Sequence, residues 1–387
     1  MQHIVTHERL NRQESTRIWT YFCLAFIAMS GVFYVNFLPS VVSTLVHSGS
    51  FNEVQAGQIV AFNGYGSLIG STVAVFMVRV VAWRSVISLS LLIMAAIDLS
   101  TIWIDSYSTM LAWRFGSGIV GGVIVGIAFS VIARLKDPDR GFALLIFLQF
   151  ACGSMVIYLL PNDETGSAHQ VVFAVMGGCA LLALLLVCLL PALVLRNNQF
   201  LTRQRTTGKK AASCLLLLAI VLYLAAANAI WAYVGLIGKQ TLLESERINT
   251  YIACTGLLGL LGALWPVINS NRYGRLNWVV TAVGMSVISA VMLSFSNIPL
   301  MFIGAMALLF FAWPAVHSYL LAASAQLDSS GKLSAISAVI SYLGLASGPM
   351  FGASLLEQGS FSTMLYACAA TFFLSLIASI KPLKRCE

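Results

Sequence analysis

Twelve apolar runs, separated by short polar breaks, fill almost the entire chain. They lie near 17–46, 54–78, 85–104, 109–133, 142–160, 170–195, 213–238, 248–269, 277–296, 299–325, 333–356 and 361–380. Runs of about 20 residues match the thickness of a bilayer, where a backbone without water must satisfy its own hydrogen bonds as a helix. The charge content agrees. Of 387 residues, 59% are hydrophobic and only 9% charged, against roughly 25% charged in a soluble domain. The sequence therefore predicts a polytopic, all-α membrane protein of twelve transmembrane helices.

The polar residues outside these runs set an orientation. Lys and Arg collect on the cytoplasmic side of membrane proteins. With the N-terminus inside, 19 of the 22 basic residues fall in cytoplasmic loops and tails, so both termini are expected to be cytoplasmic. The formal charge of +8 follows from this asymmetry and needs no nucleic-acid partner. Residues 1–16 form a polar tail with no apolar core or cleavage site, so no removable signal is expected. Seven of the eight cysteines sit in apolar runs without metal-ligand spacing and read as small buried hydrophobes.

The longest polar connection, 196–212, divides the chain into a six-helix bundle at 17–195 and another at 213–380, with a tail at 381–387. A shift of 191 or 192 residues places Arg84 on Arg275, Gly153 on Gly344, Gly64 on Gly256, Gly70 on Gly262 and Asn36 on Asn228. Two bundles related by a pseudo-two-fold axis, with a site between them at the bilayer midplane, form a known transporter architecture.

Particular segments resemble the major facilitator superfamily. These are FLPSVV at 37–42, the small-residue ladder AGQIVAFNGYGSLIGS at 56–71, LAWRFGSGIVGGV at 111–123 and DPDRG at 137–141. The resemblance covers nearly the whole chain and implies that family's twelve-helix fold and alternating access. The fourth-helix pattern is similar to that of drug and metabolite exporters. Departures accompany it. The loop VRVVAWRS at 78–85 lacks the acid and glycine of the family's gate loop, and NRYGRLN at 271–277 keeps Arg272, Gly274 and Arg275 but has Asn271 in the acid's place. The glycine-proline motif expected in helix five is absent there, and helix eleven carries GLASGPMFG instead, with Gly344, Gly348, Pro349 and Gly352. Spaced glycines let a neighbouring backbone approach, and an intramembrane proline is tolerated where neighbours satisfy the freed carbonyl. These four residues, with Arg84, Arg272 and Arg275, are expected to serve packing alone or packing and gating.

Ionisable residues inside membrane segments are functional candidates. Arg114 matches the resemblance's intramembrane arginine and is a candidate for proton coupling or for contact with helix one; the alternative is an arginine snorkelling to the headgroups. Asp98 reads either as a solvated interfacial carboxylate or as a proton carrier. His317 can titrate near neutral pH and is either a coupling residue or a hydrogen-bonded packing residue. Neutral polar and aromatic residues on the central helices are the candidates for solute binding: Tyr34, Asn36, Asn63, Gln149, Asn228, Trp231, Trp313 and Tyr342. Amides and rings suit an amphipathic organic solute.

No buried acid stands in the central helices, which favours a neutral, zwitterionic or anionic solute over a strong cation. The chain has no HExxH, GxSxG or P-loop, so neither an enzyme nor an ATP-driven pump is expected. The expectation is a monomeric inner-membrane secondary transporter embedded in lipid. It would export a small organic solute with the proton as coupling ion and no cofactor. The alternatives are proton-coupled uptake of an organic acid, peptide fragment or siderophore, and a non-transporting membrane sensor.

Overall fold

The computed structural model describes residues 18–47, 50–77, 82–135, 138–160, 167–191, 210–241, 243–269, 274–328, 332–357 and 359–385. The first crossing is broken into α1 (Ile18–Ser30), α2 (Phe33–Asn36) and α3 (Leu38–His47). There follow α4 (Glu53–Met77), α5 (Trp83–Ser100), α6 (Tyr107–Ala133), α7 (Pro138–Leu159) and α8 (Ser167–Leu189). The second bundle holds α9 (Lys210–Lys239), the paired α10 (Ser245–Gly256) and α11 (Leu258–Asn269), then α12 (Arg275–Leu293), α13 (Pro299–Leu327), α14 (Lys332–Leu356) and α15 (Phe361–Lys384). Ten helices among the described residues are long and apolar enough to cross a membrane. The protein is an integral, multi-pass membrane protein. Helix starts carry local signals: Pro299 opens α13 where its missing N–H costs nothing, and Gly274 precedes α12 at φ 81°, a conformation that favours glycine.

The contacts obey a pseudo-two-fold. Within the bundles, α4 packs on α6 as α11 packs on α13, and α5 packs on α8 as α12 packs on α15. Between the bundles, α4 meets α14 and, as its symmetry mate, α7 meets α10 and α11. The first crossing meets its own counterpart through α3 and α9.

The glycine ladders explain why these pairs form. In lipid, helices gain little from hiding apolar surface, so close backbone approach decides who packs on whom. A Cβ on Gly70 would come 2.0 Å from the Ile119 carbonyl of α6, and one on Gly262 would come 2.1 Å from the Phe311 carbonyl of α13. The matched Gly64 and Gly256 face Ala346 and Ser154 across the interface between bundles. Gly66 and Gly70 of the ladder and Gly118 and Gly122 of α6 are thus two sides of one seam, α4 against α6.

Successive crossings alternate in direction. One end of the molecule gathers Arg84, Arg134, Arg140, Lys210, Arg275, Lys381 and Lys384 and is the basic end. The other carries His47, Glu53, Tyr107, Lys239 and Glu244.

Candidate functional site

Between the bundles lies a cavity of about 360 Å³. Residues from the first crossing, α6 and α7 line one side, and residues from α9, α10, α11, α13 and α14 the other. It runs from Ile157, Trp231 and Ile252, towards the opposite end, to Phe129, Leu321 and Ala338, towards the basic end. Hydrogen bonds join the bundles at its floor and beyond. Trp231 Nε1 donates to the Val35 carbonyl at 2.9 Å and Tyr233 Oη to the Glu53 carbonyl at 3.1 Å. Asn249 Nδ2 donates to Leu160 O at 3.3 Å, and Lys239 Nζ to His47 Nε2. At mid-height Tyr65 Oη donates to Ser347 Oγ at 3.3 Å. These bonds seal the opposite end, and the cavity lies on the basic side of the seal.

Five of the eight candidate solute-binding residues line this space: Asn36, Gln149, Trp231, Trp313 and Tyr342. His317 joins them from α13, with Nε2 3.0 Å from Ser341 Oγ. Asn36 Nδ2 is buried and has no partner among the described residues.

Three other candidates lie elsewhere. Asn63 is buried in the α4–α6 seam and donates to the Arg114 carbonyl at 3.0 Å. Asn228 sits between α9 and α14 and donates to the Leu345 carbonyl. Tyr34 turns away from the cavity, its ring 5.5 Å from the Arg114 guanidinium. Phe150, Phe310, Ser154, Ser318 and Ser341 also line the cavity and were missed from sequence. Only the spacing of Ser337 and Ser341, one turn apart in α14, gave a local sign of a polar stripe.

Arg114 and Asp98 pair with each other rather than with solvent. Arg114 is fully buried and Asp98 2% exposed, and Nη1 donates to Oδ1 at 2.9 Å. Arg114 also donates to Thr101 Oγ1 and stands 4.7 Å from the Phe173 ring. Asp98 is therefore no solvated interfacial carboxylate, and Arg114 does not snorkel. Arg114 does touch the first crossing, at Tyr34. The pair lies within the first bundle, outside the cavity lining.

The remaining candidates pack elements. Gly344, Gly348 and Gly352 lie along α9, where added Cβ atoms would meet Leu224, the Ala225 carbonyl and the Tyr233 ring. Pro349 lies inside an uninterrupted α14. Arg84 donates to the Leu190 and Pro191 carbonyls that follow α8, where cations complement the helix dipole. Arg275 donates to Gln326 Oε1 at 2.7 Å, within the second bundle. Arg272 lies outside the described residues.

No protein-family model matches the chain, and no curated protein matches its sequence. Solved structures do. A nucleoside transporter, NupG in a D323A mutant, superposes with a TM-score of 0.76 at 10% identity, covering 94% of this chain and 99% of that one. An auto-inhibited POT-family peptide transporter gives 0.73 at 13% identity, covering 97% of each chain. A D-xylose–proton symporter gives 0.68 at 15%, covering 95% and 96%. At such identities the likeness is one of architecture, and it spans both chains nearly end to end: this chain has the fold of the major facilitator transporters.

Proposed function

We propose that the protein is a secondary transporter that carries a small organic solute through the central cavity by alternating access. The observation that carries this reading is the placement of the cavity, lined by both bundles, with contacts between them closing one end. Rocking one bundle against the other would break that seal and close the basic end, which exposes the same side chains to the other face. The charge asymmetry supports a cytoplasmic basic end, so this state would load solute from the cytoplasm.

Protons are the proposed driving ion, with the Asp98–Arg114 pair and His317 as the groups that could hold a proton inside the bundles. Export is our reading of direction, because residues 111–123 resemble the fourth helix of exporters. One structural neighbour is a D-xylose–proton symporter, which keeps proton-coupled uptake as the alternative.

Two measurements test this. The first replaces the native cysteines, introduces Ser318→Cys in the cavity, and labels it in sealed vesicles with a membrane-impermeant thiol reagent added on either side. Alternating access requires labelling from both sides, with solute shifting the balance between them. Labelling from one side only, whatever is added, would sink the transport reading. The second follows solute-dependent proton flux in proteoliposomes with an enclosed pH dye, and the sign of the flux gives direction.

A further inference from the structure

We infer that the cavity selects a solute without net charge, built on a flat ring system, that offers an acceptor to Asn36 and a donor to His317. The inference rests on the transport reading above and narrows it to a substrate class.

Three observations lead there. The first is charge: among the described residues, no Asp, Glu, Lys or Arg lines the cavity. The buried pair Arg114 and Asp98 neutralise each other outside it. An ionised solute leaving water for this space would find no counter-charge, which costs far more than moving a neutral one. The second is shape. Phe150, Trp231, Phe310, Trp313 and Tyr342 surround the space from four helices, and Trp231 and Phe310 meet edge to face at 5.1 Å. Such walls hold flat rings.

The third is hydrogen-bond polarity. Ser341 Oγ has one hydrogen, which we assign to the Ser337 carbonyl 2.8 Å away on the same helix. Towards His317 Nε2, 3.0 Å away, that oxygen can only accept. The proton of the neutral imidazole is therefore on Nε2, and Nδ1 is left as an acceptor with no partner among the described residues. Across the cavity, the buried Asn36 Nδ2 is a donor without a partner among the described residues. A buried donor left unpaired is unfavourable, and a solute carbonyl or ring nitrogen would relieve it. The site thus asks for one acceptor and one donor, as a primary amide or a lactam supplies.

The test uses the full chain in nanodiscs and a set of naphthyl compounds, whose ring has no polar atom of its own. These are naphthylacetamide, its N,N-dimethyl derivative, naphthylacetate and naphthylethylammonium. Binding is followed calorimetrically, with partition into empty nanodiscs subtracted. The primary amide is expected to bind at least roughly tenfold more tightly than either ion. Asn36→Leu and His317→Leu should each weaken it by roughly tenfold, the worth of one buried hydrogen bond.

The dimethyl amide separates recognition from folding. Wild-type protein should prefer the primary amide over it, and His317→Leu should bind the two alike. Ser341→Ala, which frees the imidazole proton, should show a smaller loss of the same preference. Tighter binding of either ion, an unchanged preference in His317→Leu, or no binding by any of the four overturns the inference. The two readings fail separately. Thiol labelling from both sides together with preferred binding of an ion would leave transport standing and remove the selection rule. Labelling from one side with preferred amide binding would do the reverse.

Discussion

Arg114 is held by four side chains from three crossings: Tyr34 of the first, Asp98 of α5 with Thr101 in the turn after it, and Phe173 of α8. Together they tie the first bundle near its opposite end. Removing one partner of a buried ion pair leaves a bare charge in low dielectric and costs about 3–5 kcal/mol. Asp98→Asn and Arg114→Met are each expected to lower the thermal unfolding midpoint in detergent clearly. The double variant Asp98→Leu/Arg114→Met should recover much of the loss, because it buries no charge. The double variant also separates two roles. If the pair holds the coupling proton, the folded double variant will carry no solute-driven proton flux. Flux at the wild-type level would remove the pair from the coupling mechanism.

At the scale of elements, close approach sets the packing of this molecule, and its glycines differ sharply in what they allow. On α6, a Cβ at Gly118 would lie 2.0 Å from the Asn63 carbonyl of α4, whereas Gly116, two residues away, has nothing within 4 Å. Gly118→Ala must push two helix backbones apart and is expected to cost about 1–3 kcal/mol, as overpacking does. Gly116→Ala should be close to neutral or slightly stabilising, since alanine favours helix over glycine by about 1 kcal/mol. Unfolding midpoints of the two variants in one detergent decide the matter; equal loss at both positions would contradict the seam. The faint sequence repeat belongs to this scale too. Gly70 and Gly262 meet carbonyls on equivalent neighbours, Gly64 and Gly256 face the other bundle, and Gly153 and Gly344 lie against the first and seventh crossings.

For the whole molecule, the proposed exchange between two open states would depend on the seal. A Cβ at Gly57 would lie 1.8 Å from Tyr233 Oη, where α4 and α9 close the opposite end. Gly57→Val would wedge that end apart and shift the population towards the state closed at the basic end. With Ser318→Cys as reporter, labelling from the side of the opposite end should rise and labelling from the basic side should fall. Solute-driven flux should drop because the return step is slowed. An unchanged labelling pattern would mean that the seal seen here does not control access.

How much of this was legible in the sequence follows from what a bilayer reads. Its thickness selects the length of apolar runs and its charge rule sorts the loops, and both are properties of the chain taken one residue after another. The spans, the basic end and the division into two bundles could therefore be read directly. Only the tertiary structure decided which polar residues meet in the cavity. A helix turns by about 100° per residue, so Tyr34 and Asn36, two apart, face nearly opposite ways: one to Arg114, the other into the cavity. In a helix enclosed by protein on all sides, no polar face marks the difference. The partnership of His317 with Ser341 joins α13 to α14, and the one between Arg114 and Asp98 joins α6 to α5. Such pairs form where backbones draw close in three dimensions, which no count along the chain records.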